Sequence, residues 1–446
     1  SLRRRQRQMC IRDRLMDKKK IIDNASWIIG CKLVKAVLTL LVTILTARYL
    51  GASNYGLINY AASLVTFMTP VMKLGLDAIL VHELINDADH QGEILGTSIV
   101  LNTLSALLCI IGVVTFSMVT NAGETETHIV CFLYSLLLLF QAVEMVQYWF
   151  QAKLLSKYTA SSMLISYGSI TVFQICLLMR KANIYWFSVS HSLEYMILAG
   201  MLISIFKKKT NLQFRFSLNA AHRMLNKSKY YILSGLMVTI FSQTDKVMIK
   251  MMMDNASVGY YSAAATCASM TSFVFVAIID SMRPVIFKSK QENETQFKNN
   301  ISYLYTIIFY FSLLQCLVIT AFSSVIIGVM YGSEYNTSSN VLRVIVWFTT
   351  FSYIGTIRDI WILSEGKQSF LWKINFLGAF ANVILNYWMI PRMGIMGAAL
   401  ASLITQIFTN IVVGELISAV RPNNRLLYRG INPKALVVIA QKLRKR

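Results

Sequence analysis

The sequence has little charge for its length. Asp, Glu, Lys and Arg make up 14% of its 446 residues, and hydrophobic residues make up 55%. A soluble chain would be about one quarter charged. Apolar runs close to the length that a helix needs to cross a bilayer recur from end to end. The scarcity of charge therefore excludes a soluble globular protein and predicts an all-α polytopic membrane protein.

Cysteine gives no sign of disulfides or of a metal centre. The seven cysteines show no metal-ligand spacing. Apart from Cys10 they lie in or at the ends of apolar runs, at Cys31, Cys109, Cys131, Cys176, Cys267 and Cys316. We interpret them as packing residues and expect neither a metal site nor a cofactor.

Signals of catalysis are also scarce. The chain has no Gly-x-x-x-x-Gly-Lys-Ser/Thr loop, which excludes ATP hydrolysis by that route. Asp87-Ala-Asp89 resembles a glycosyltransferase metal motif but has no supporting context. A membrane glycan polymerase or ligase, the alternative from a different class, would need a large external loop. The longest connections on that side, near 120–127 and 331–339, are short, so we expect a protein that is not an enzyme.

The first 15 residues look foreign to the protein. The stretch from Met9 to Arg14 looks like the translation of a transposon-end adapter used in sequencing libraries. We therefore treat 1–15 as a non-native leader and expect Met16 to be the true start; a genuine basic leader is the alternative. The run after Lys20 is too long for a cleavable signal peptide and lacks a small-residue cleavage site.

About twelve membrane spans are predicted in two sets of six. They are 27–50, 55–80, 94–119, 128–150, 158–180, 184–206, 230–253, 258–280, 302–330, 340–363, 369–390 and 395–419. The basic linker 207–229 separates an N-terminal six-helix lobe, 16–206, from a C-terminal six-helix lobe, 230–419, and a basic tail, 420–446, follows. Lys and Arg concentrate at the N-terminus, the linker and the tail, so the positive-inside rule places both termini in the cytoplasm.

A weak internal repeat accompanies this division. Ala52-Ser-Asn-Tyr-Gly56 follows the first span and Ala256-Ser-Val-Gly259 follows the seventh, an offset of about 200 residues. An even number of spans per unit gives parallel repeats related by an axis along the membrane normal, and transporter sites tend to lie at repeat interfaces. Chance similarity between small-residue turns is the alternative.

Charged residues inside the spans are the best pointers to function. Lys32 and Lys35 share one face of the first span, although a charge at mid-membrane costs about 2.5–3.5 kcal/mol. They have no acid within a turn on their own helix, so neutralisation must come from elsewhere; snorkelling to the interface is the alternative. Lys73 and Asp77 are spaced for an i,i+4 pair.

Further intramembrane charges lie in both predicted lobes. His191 and Glu194 are nearest the midplane, where they could titrate as an ion-coupling site or form an interhelical hydrogen bond. Asp245 and Lys246 could be an internal pair or part of a polar path. Other charged groups occur at Lys250 in the outer half of the seventh span and at Arg358 toward the cytoplasmic half of the tenth.

At four places the residues resemble the polysaccharide-biosynthesis (O-antigen) flippases of the multidrug/oligosaccharidyl-lipid/polysaccharide exporter superfamily. These are Ala47-Arg-Tyr-Leu-Gly51 with Tyr55-Gly56, Thr244-Asp-Lys-Val-Met248 with Val258-Gly-Tyr-Tyr-Ser262, Arg283-Pro284, and Asn382 to Asn386 with Ile390-Pro-Arg-Met-Gly394 and Gly397-Ala-Ala399. Each motif is degenerate, but their order along the chain is moderately specific.

The resemblance implies a V-shaped pair of lobes around a central, often cationic, cavity. It implies transport of undecaprenyl-pyrophosphate-linked oligosaccharide, an O-antigen or capsule repeat unit, from the cytoplasmic to the outer leaflet by alternating access. Basic groups in a low-dielectric cavity can offset the desolvation of a pyrophosphate. We expect head-group contacts from Lys32, Lys35, Lys73 and Arg358, and on the exit side from Lys246 and Lys250.

The same resemblance suggests partners and alternatives. Coupling to H⁺ or Na⁺ would fall to Glu194, His191, Asp77 or Asp245, in a bacterial inner membrane, with glycan polymerase or assembly proteins nearby and no nucleic acid. The runner-up is a cation-coupled multidrug exporter of the same superfamily, but that branch favours acidic groups and basic groups predominate here. The peptidoglycan-precursor flippase is similar too, although two further spans are expected of it.

Overall fold

The protein is mostly helical over residues 2–434, the part of the chain that this computed structural model describes, with side chains described at 30, 31 and from 33 onward. The helices are α1 (Leu2–Lys73), α2 (Leu80–Asn86), α3 (Gln91–Thr120), α4 (Thr125–Ser135), α5 (Leu137–Val143), α6 (Gln147–Ala152), α7 (Ser156–Met179), α8 (Ile184–Lys209), α9 (Leu218–Met252), α10 (Asn255–Ser269), α11 (Ser272–Glu292), α12 (Glu294–Tyr331), α13 (Thr337–Ser364), α14 (Ser369–Met393), α15 (Ile395–Ile407), α16 (Val413–Leu416) and α17 (Arg421–Ile431). A π-helical segment, Phe408–Val412, joins α15 to α16. The predicted all-α class is confirmed.

Over residues 2–434, ten helices are long and apolar enough to cross a membrane, or eleven if α10 and α11, bent by 45° at their junction, form one span. The apolar part of α1, Leu33–Lys73, has 41 residues. At about 1.5 Å per residue it is about twice as long as the roughly 30 Å hydrocarbon core. Gly51 breaks it with a non-helical φ of 72°, next to the predicted boundary between spans one and two. Two crossings within α1 are consistent with about twelve spans.

Local sequence explains several helix ends. The Asp254 carboxylate caps α10 by accepting a hydrogen bond from the Ser257 N–H at 2.7 Å, and Asn293 caps α12 in the same way. Such caps satisfy N–H groups that have no partner in the first helical turn. Gly332, with φ of 88°, follows the last residue of α12. A positive φ there favours glycine because it has no Cβ.

The chain folds into two compact units. The first unit contains the chain up to Thr46 and Leu64–Gly235; the second contains Ala47–Ser63 and the chain from Leu236 onward. The middle of α1, on either side of Gly51, therefore packs with the second unit. The predicted lobes 16–206 and 230–419 are defined by sequence repeats rather than contacts, and they remain a prediction.

Each unit has an apolar core. In the first unit it is formed by the 3₁₀ segment Leu76–Ala78 that follows α1, by α2, α3, α6 and α8, and by the start of α9, with Trp149, Phe150 and Phe206 as its large members. In the second unit, α11, α12, α13 and α17 contribute, with Phe275 stacked on Tyr353 at 4.4 Å between ring centroids. Six described cysteines are free thiols, and five of these are buried, in agreement with a packing role.

The second unit contains a close reciprocal contact between the two repeated segments. A Cβ on Gly56 would lie 1.7 Å from the Asn255 carbonyl oxygen, and one on Gly259 would lie 2.1 Å from the Ala52 carbonyl oxygen. Each glycine thus meets the carbonyl four residues before the other glycine. Reciprocal contacts of this kind arise when two copies of a segment meet around a twofold axis. The contact is consistent with the predicted parallel repeat.

The segment around Gly51 is fixed to the end of α12. Arg48 donates to the carbonyl oxygen of Met330 at 2.8 Å and also to that of Val329. The Ala52 N–H donates to the Glu334 carboxylate at 2.7 Å. The arginine thereby satisfies carbonyls at the end of α12, while the carboxylate satisfies an N–H that the break at Gly51 leaves free.

Candidate functional site

Lys35 forms an ion pair inside the first unit. Its Nζ lies 2.7 Å from Oε1 of Glu194, which α8 carries. The lysine side chain is 32% exposed and the glutamate side chain 9% exposed. The Lys35 ammonium also lies 4.9 Å from the ring centroid of Tyr167. The prediction that Lys35 is neutralised from outside its own helix is confirmed. The side chain of Lys32 lies outside the described residues.

Other titratable groups surround this pair. His191, one turn before Glu194 on α8, packs against Tyr134 with ring centroids 4.9 Å apart. Glu144 is buried between α5 and α6, where Lys73 and Lys35 are the cations that act on its charge. The first unit therefore concentrates acidic and basic groups along α1, α8 and the α5–α6 junction. Glu144 lies near the predicted site residues but was not among them.

The predicted i,i+4 contact between Lys73 and Asp77 does not form. The helix ends at Lys73, and Gly75 takes a left-handed φ of 64° before the 3₁₀ segment that carries Asp77. The two residues therefore do not share a helical face. Within residues 30–434, no carboxylate oxygen lies within ion-pair distance of Lys73 among the described side chains. Lys73 is half-buried, and its positive charge acts on the carboxylate of Glu144 instead.

Asp245 is the centre of a buried polar cluster in the second unit. Its Oδ1 accepts hydrogen bonds from Asn386 Nδ2 at 2.7 Å and from Asn382 Nδ2 at 3.2 Å. Its Oδ2 accepts from the hydroxyls of Tyr261 and Ser402. All four donors are neutral groups. Hydrogen bonds of this kind compensate for the burial of a charged carboxylate.

One oxygen of the Asp245 cluster accepts no hydrogen bond from the described residues. The side-chain Oδ1 of Asn386 is buried and accepts no hydrogen bond from any described residue. Carboxylate, amide and hydroxyl oxygens together are the ligands that hard cations prefer. Lys246 and Lys250 follow on the same helix; Lys246 is half-buried beside Asp245, and Lys250 is buried.

Arg358 is buried and makes internal bonds. Its Nη1 donates to the carbonyl oxygen of Thr409 at 3.0 Å and to Oδ1 of Asn410 at 2.7 Å. Its Nε and Nη2 donate to Asp359, at 3.1 and 2.8 Å. Thr409 and Asn410 belong to the π-helical segment, where widened turns alter the backbone hydrogen bonding. The guanidinium therefore stabilises an irregular turn, a contact that sequence spacing did not indicate.

The structure divides the described predicted site residues between the two units. Lys35, Lys73, Asp77, His191 and Glu194 lie in the first unit. Lys246, Lys250, Asp245 and Arg358 lie in the second. Sequence reasoning counted Glu144 among the charges inside the spans but not among the site residues, and it missed the hydrogen bonds that Asn382 and Asn386 donate to Asp245. The spacing of these two asparagines, one turn apart in an apolar span, was the signal that could have found them.

The fold and these buried polar clusters define a polytopic helical membrane protein with charges placed inside its spans. The chain belongs to the polysaccharide biosynthesis protein family, whose model matches residues 21–290. This confirms the family resemblance drawn from the motifs.

Individual relatives agree with the family assignment. The chain is 24% identical to the probable low-salt glycan biosynthesis flippase Agl15 of Haloferax volcanii, over 80% of this chain and 75% of that protein. It is 20% identical to the capsular polysaccharide biosynthesis protein CapF of Staphylococcus aureus, over 86% and 96%. Among solved structures, lipid II flippase MurJ in an inward closed conformation superposes with a TM-score of 0.73 and 15% identity, covering 92% of both chains. The structural likeness shows the shared fold.

Proposed function

We propose that the protein is a flippase that moves undecaprenyl-pyrophosphate-linked oligosaccharide from the cytoplasmic to the outer leaflet. The family and its relatives, a probable glycan biosynthesis flippase and a capsular polysaccharide biosynthesis protein, support this class of cargo. The basic linker and tail support cytoplasmic termini in the plasma membrane. Glycan polymerase and assembly proteins would act on the product after translocation.

The observation that carries the proposal is the Lys35 ammonium within the first span. It has three N–H donors, of which one reaches Glu194, and about one third of its side chain remains exposed. A cation that is held in place but still accessible suits a ligand that arrives with concentrated negative charge. Lys73, Lys246 and Lys250 provide further basic groups. Arg358 contributes by stabilising the π-helical segment, to which its guanidinium donates hydrogen bonds.

The Asp245 cluster is a better candidate for binding a coupling ion than Glu194 and His191 in the first unit. Asp245 and the unbonded Oδ1 of Asn386 lie within one buried group of oxygen ligands. Sodium binding there would replace hydrogen bonds now donated to the carboxylate, and so change the packing of α9 against α14. In the first unit Glu194 is paired with Lys35, and His191 packs against the ring of Tyr134.

The direct test is transport by the purified protein in liposomes. A fluorescent lipid-linked oligosaccharide in the inner leaflet is expected to become accessible to an external glycan-modifying enzyme faster with the protein than without it. A drug exporter would instead move an organic cation and leave the lipid-linked glycan in place. A polymerase or ligase would release a chemically altered glycan, which mass spectrometry of the recovered lipid would reveal.

A further inference from the structure

The first unit contains a cavity of about 300 Å³ beside the Lys35–Glu194 pair. The helices α1, α6 and α7 each contribute one face to it. The lining residues are Cys31, Lys35, Gln147, Gln151, Ser156, Thr159, Ala160, Met163 and Leu164. The volume is at the lower end of the range for small-molecule sites, about 300–1,000 Å³. It therefore suits a single small unit of a larger ligand.

One residue that lines this cavity carries a buried hydroxyl without a hydrogen-bond partner among the described residues. Thr159 is 9% exposed, and its Oγ1 receives or donates no hydrogen bond among the described residues. A buried hydroxyl left unpaired costs about 1–3 kcal/mol. A ligand hydroxyl that reaches this atom when the cavity is filled would remove that cost. Thr159 thus adds a second polar residue to the lining beside the charge of Lys35.

The chemistry of the lining restricts the occupant. The amides of Gln147 and Gln151 and the hydroxyls of Ser156 and Thr159 can both donate and accept hydrogen bonds, as sugar hydroxyls do. The Lys35 ammonium adds one positive charge, and none of the nine lining residues is acidic. Met163, with its neighbours Ala160 and Leu164, provides an apolar surface for the C–H face of a sugar ring.

We propose that this cavity is a subsite for the phosphate-linked sugar of the transported lipid. Lys35 contacts the phosphate oxygens, and Thr159 and Gln147 hydrogen-bond to the hydroxyls of that sugar. The phosphate accepts hydrogen bonds from the N–H groups of Lys35 that do not donate to Glu194, while Glu194 holds the ammonium in place. The subsite rests on the proposed flippase function, but it can be measured on the purified protein without transport.

Cys31 provides a reporter because its thiol lines the same cavity. The experiment follows alkylation of Cys31 by N-ethylmaleimide, by mass spectrometry of its peptide, with glucose 1-phosphate, glucose or inorganic phosphate present. Glucose 1-phosphate at twice its dissociation constant is expected to slow alkylation about threefold, and more strongly than either fragment at the same concentration. Thr159→Val should weaken this protection about threefold to tenfold, and Lys35→Gln should abolish the advantage over glucose.

Thr171→Val is the matched control, because it makes the same change on α7 at a residue outside the cavity lining. Its protection by glucose 1-phosphate should equal that of the wild type, and thermal melting should show that all variants are folded. The subsite is refuted if glucose 1-phosphate fails to protect Cys31, if inorganic phosphate protects equally well, or if Thr159→Val retains full protection.

The liposome assay separates this failure from failure of the proposed function. Transport of lipid-linked glycan without protection of Cys31 would refute the subsite and leave the flippase function standing. Protection without transport would support a sugar-phosphate site and contradict the flippase.

Discussion

Lys35 and Glu194 are 159 residues apart in sequence and form an ion pair of 2.7 Å within one compact unit. The pair explains how an apolar span carries a lysine. The Glu194 side chain is nearly buried, whereas about one third of the Lys35 side chain is exposed. The lysine is therefore neutralised on one side and accessible on the other, the arrangement that an anion-binding residue in a membrane requires.

Removing one member of this pair should destabilise the protein more than removing both. Lys35→Gln or Glu194→Gln alone leaves a charge without its partner in a largely buried place, and we expect about 1–3 kcal/mol of lost stability. The double variant should lose less stability than either single variant, because it leaves no unpaired charge. Thermal melting of the purified variants in detergent measures this; additive losses would show that the two side chains do not interact.

Sodium should stabilise the protein through Asp245. In sodium chloride the melting temperature is expected to be higher than in choline chloride at equal ionic strength, because sodium binds the folded cluster and not the unfolded chain. Asp245→Asn should remove this difference, whereas Asp280→Asn, which changes an exposed carboxylate of the same unit, should preserve it. A sodium effect that persists in Asp245→Asn, or that is missing in the wild type, contradicts the site.

The contact between the repeated segments should not tolerate a single methyl group. In Gly56→Ala the new Cβ would lie 1.7 Å from a backbone oxygen, so the helices must separate, and we expect a loss at or above the usual overpacking range of about 1–3 kcal/mol. Gly112→Ala, where nothing lies within 4 Å, should be neutral or stabilising, since alanine favours helix by about 1 kcal/mol. Yield and melting temperature of both variants test this; equal stability would mean that the two segments are not in contact.

Asp87 and His90, outside the spans, should titrate as a pair. Their side chains lie 2.7 Å apart, and the hydrogen bond between them, followed by their charges, lowers the pKa of Asp87 and raises that of His90. The His90 contribution to stability is complete below its ordinary pKa and is lost as pH rises through the raised value. The Asp87 contribution is present above its ordinary pKa and is lost as pH falls through the lowered value.

Histidine-selective NMR on this chain of five histidines measures the pKa of His90 directly. Asp87→Asn should lower that pKa markedly, and Asp89→Asn should lower it less, since Asp89 acts only through charge. Equal effects of the two substitutions would show that the hydrogen bond is not formed.

Much of the fold could be predicted because the membrane constrains it. Apolar run lengths gave the spans, and the boundary predicted after residue 50 falls beside the break at Gly51. Partners of charged groups could not be predicted in the same way. The pairing of Lys35 with Glu194 depends on how α1 packs against α8, and spacing along one helix carries no information about that.

Local spacing also misled where backbone geometry intervened. Lys73 and Asp77 would meet on a continuous helix, but Gly75 turns the chain before the second residue is reached. In the opposite direction, Asn382 and Asn386 belong to one of the motifs that carry the family resemblance, but the sequence does not show which group they contact. Their part in the site becomes visible only when α14 brings both amides to Asp245.

The most direct test of the flippase is the transport assay with two lysine variants of the first unit. Lys35→Gln and Lys153→Gln remove the same charge, but Lys153 is exposed and lies outside the cavity lining. Translocation of the fluorescent lipid-linked oligosaccharide should fall at least about tenfold in Lys35→Gln, the loss expected when a charged hydrogen bond of about 1.5–3 kcal/mol is removed, and should stay at the wild-type rate in Lys153→Gln. Equal rates in all three proteins, with melting temperatures that show them folded, would contradict a role for Lys35 in moving the anionic lipid.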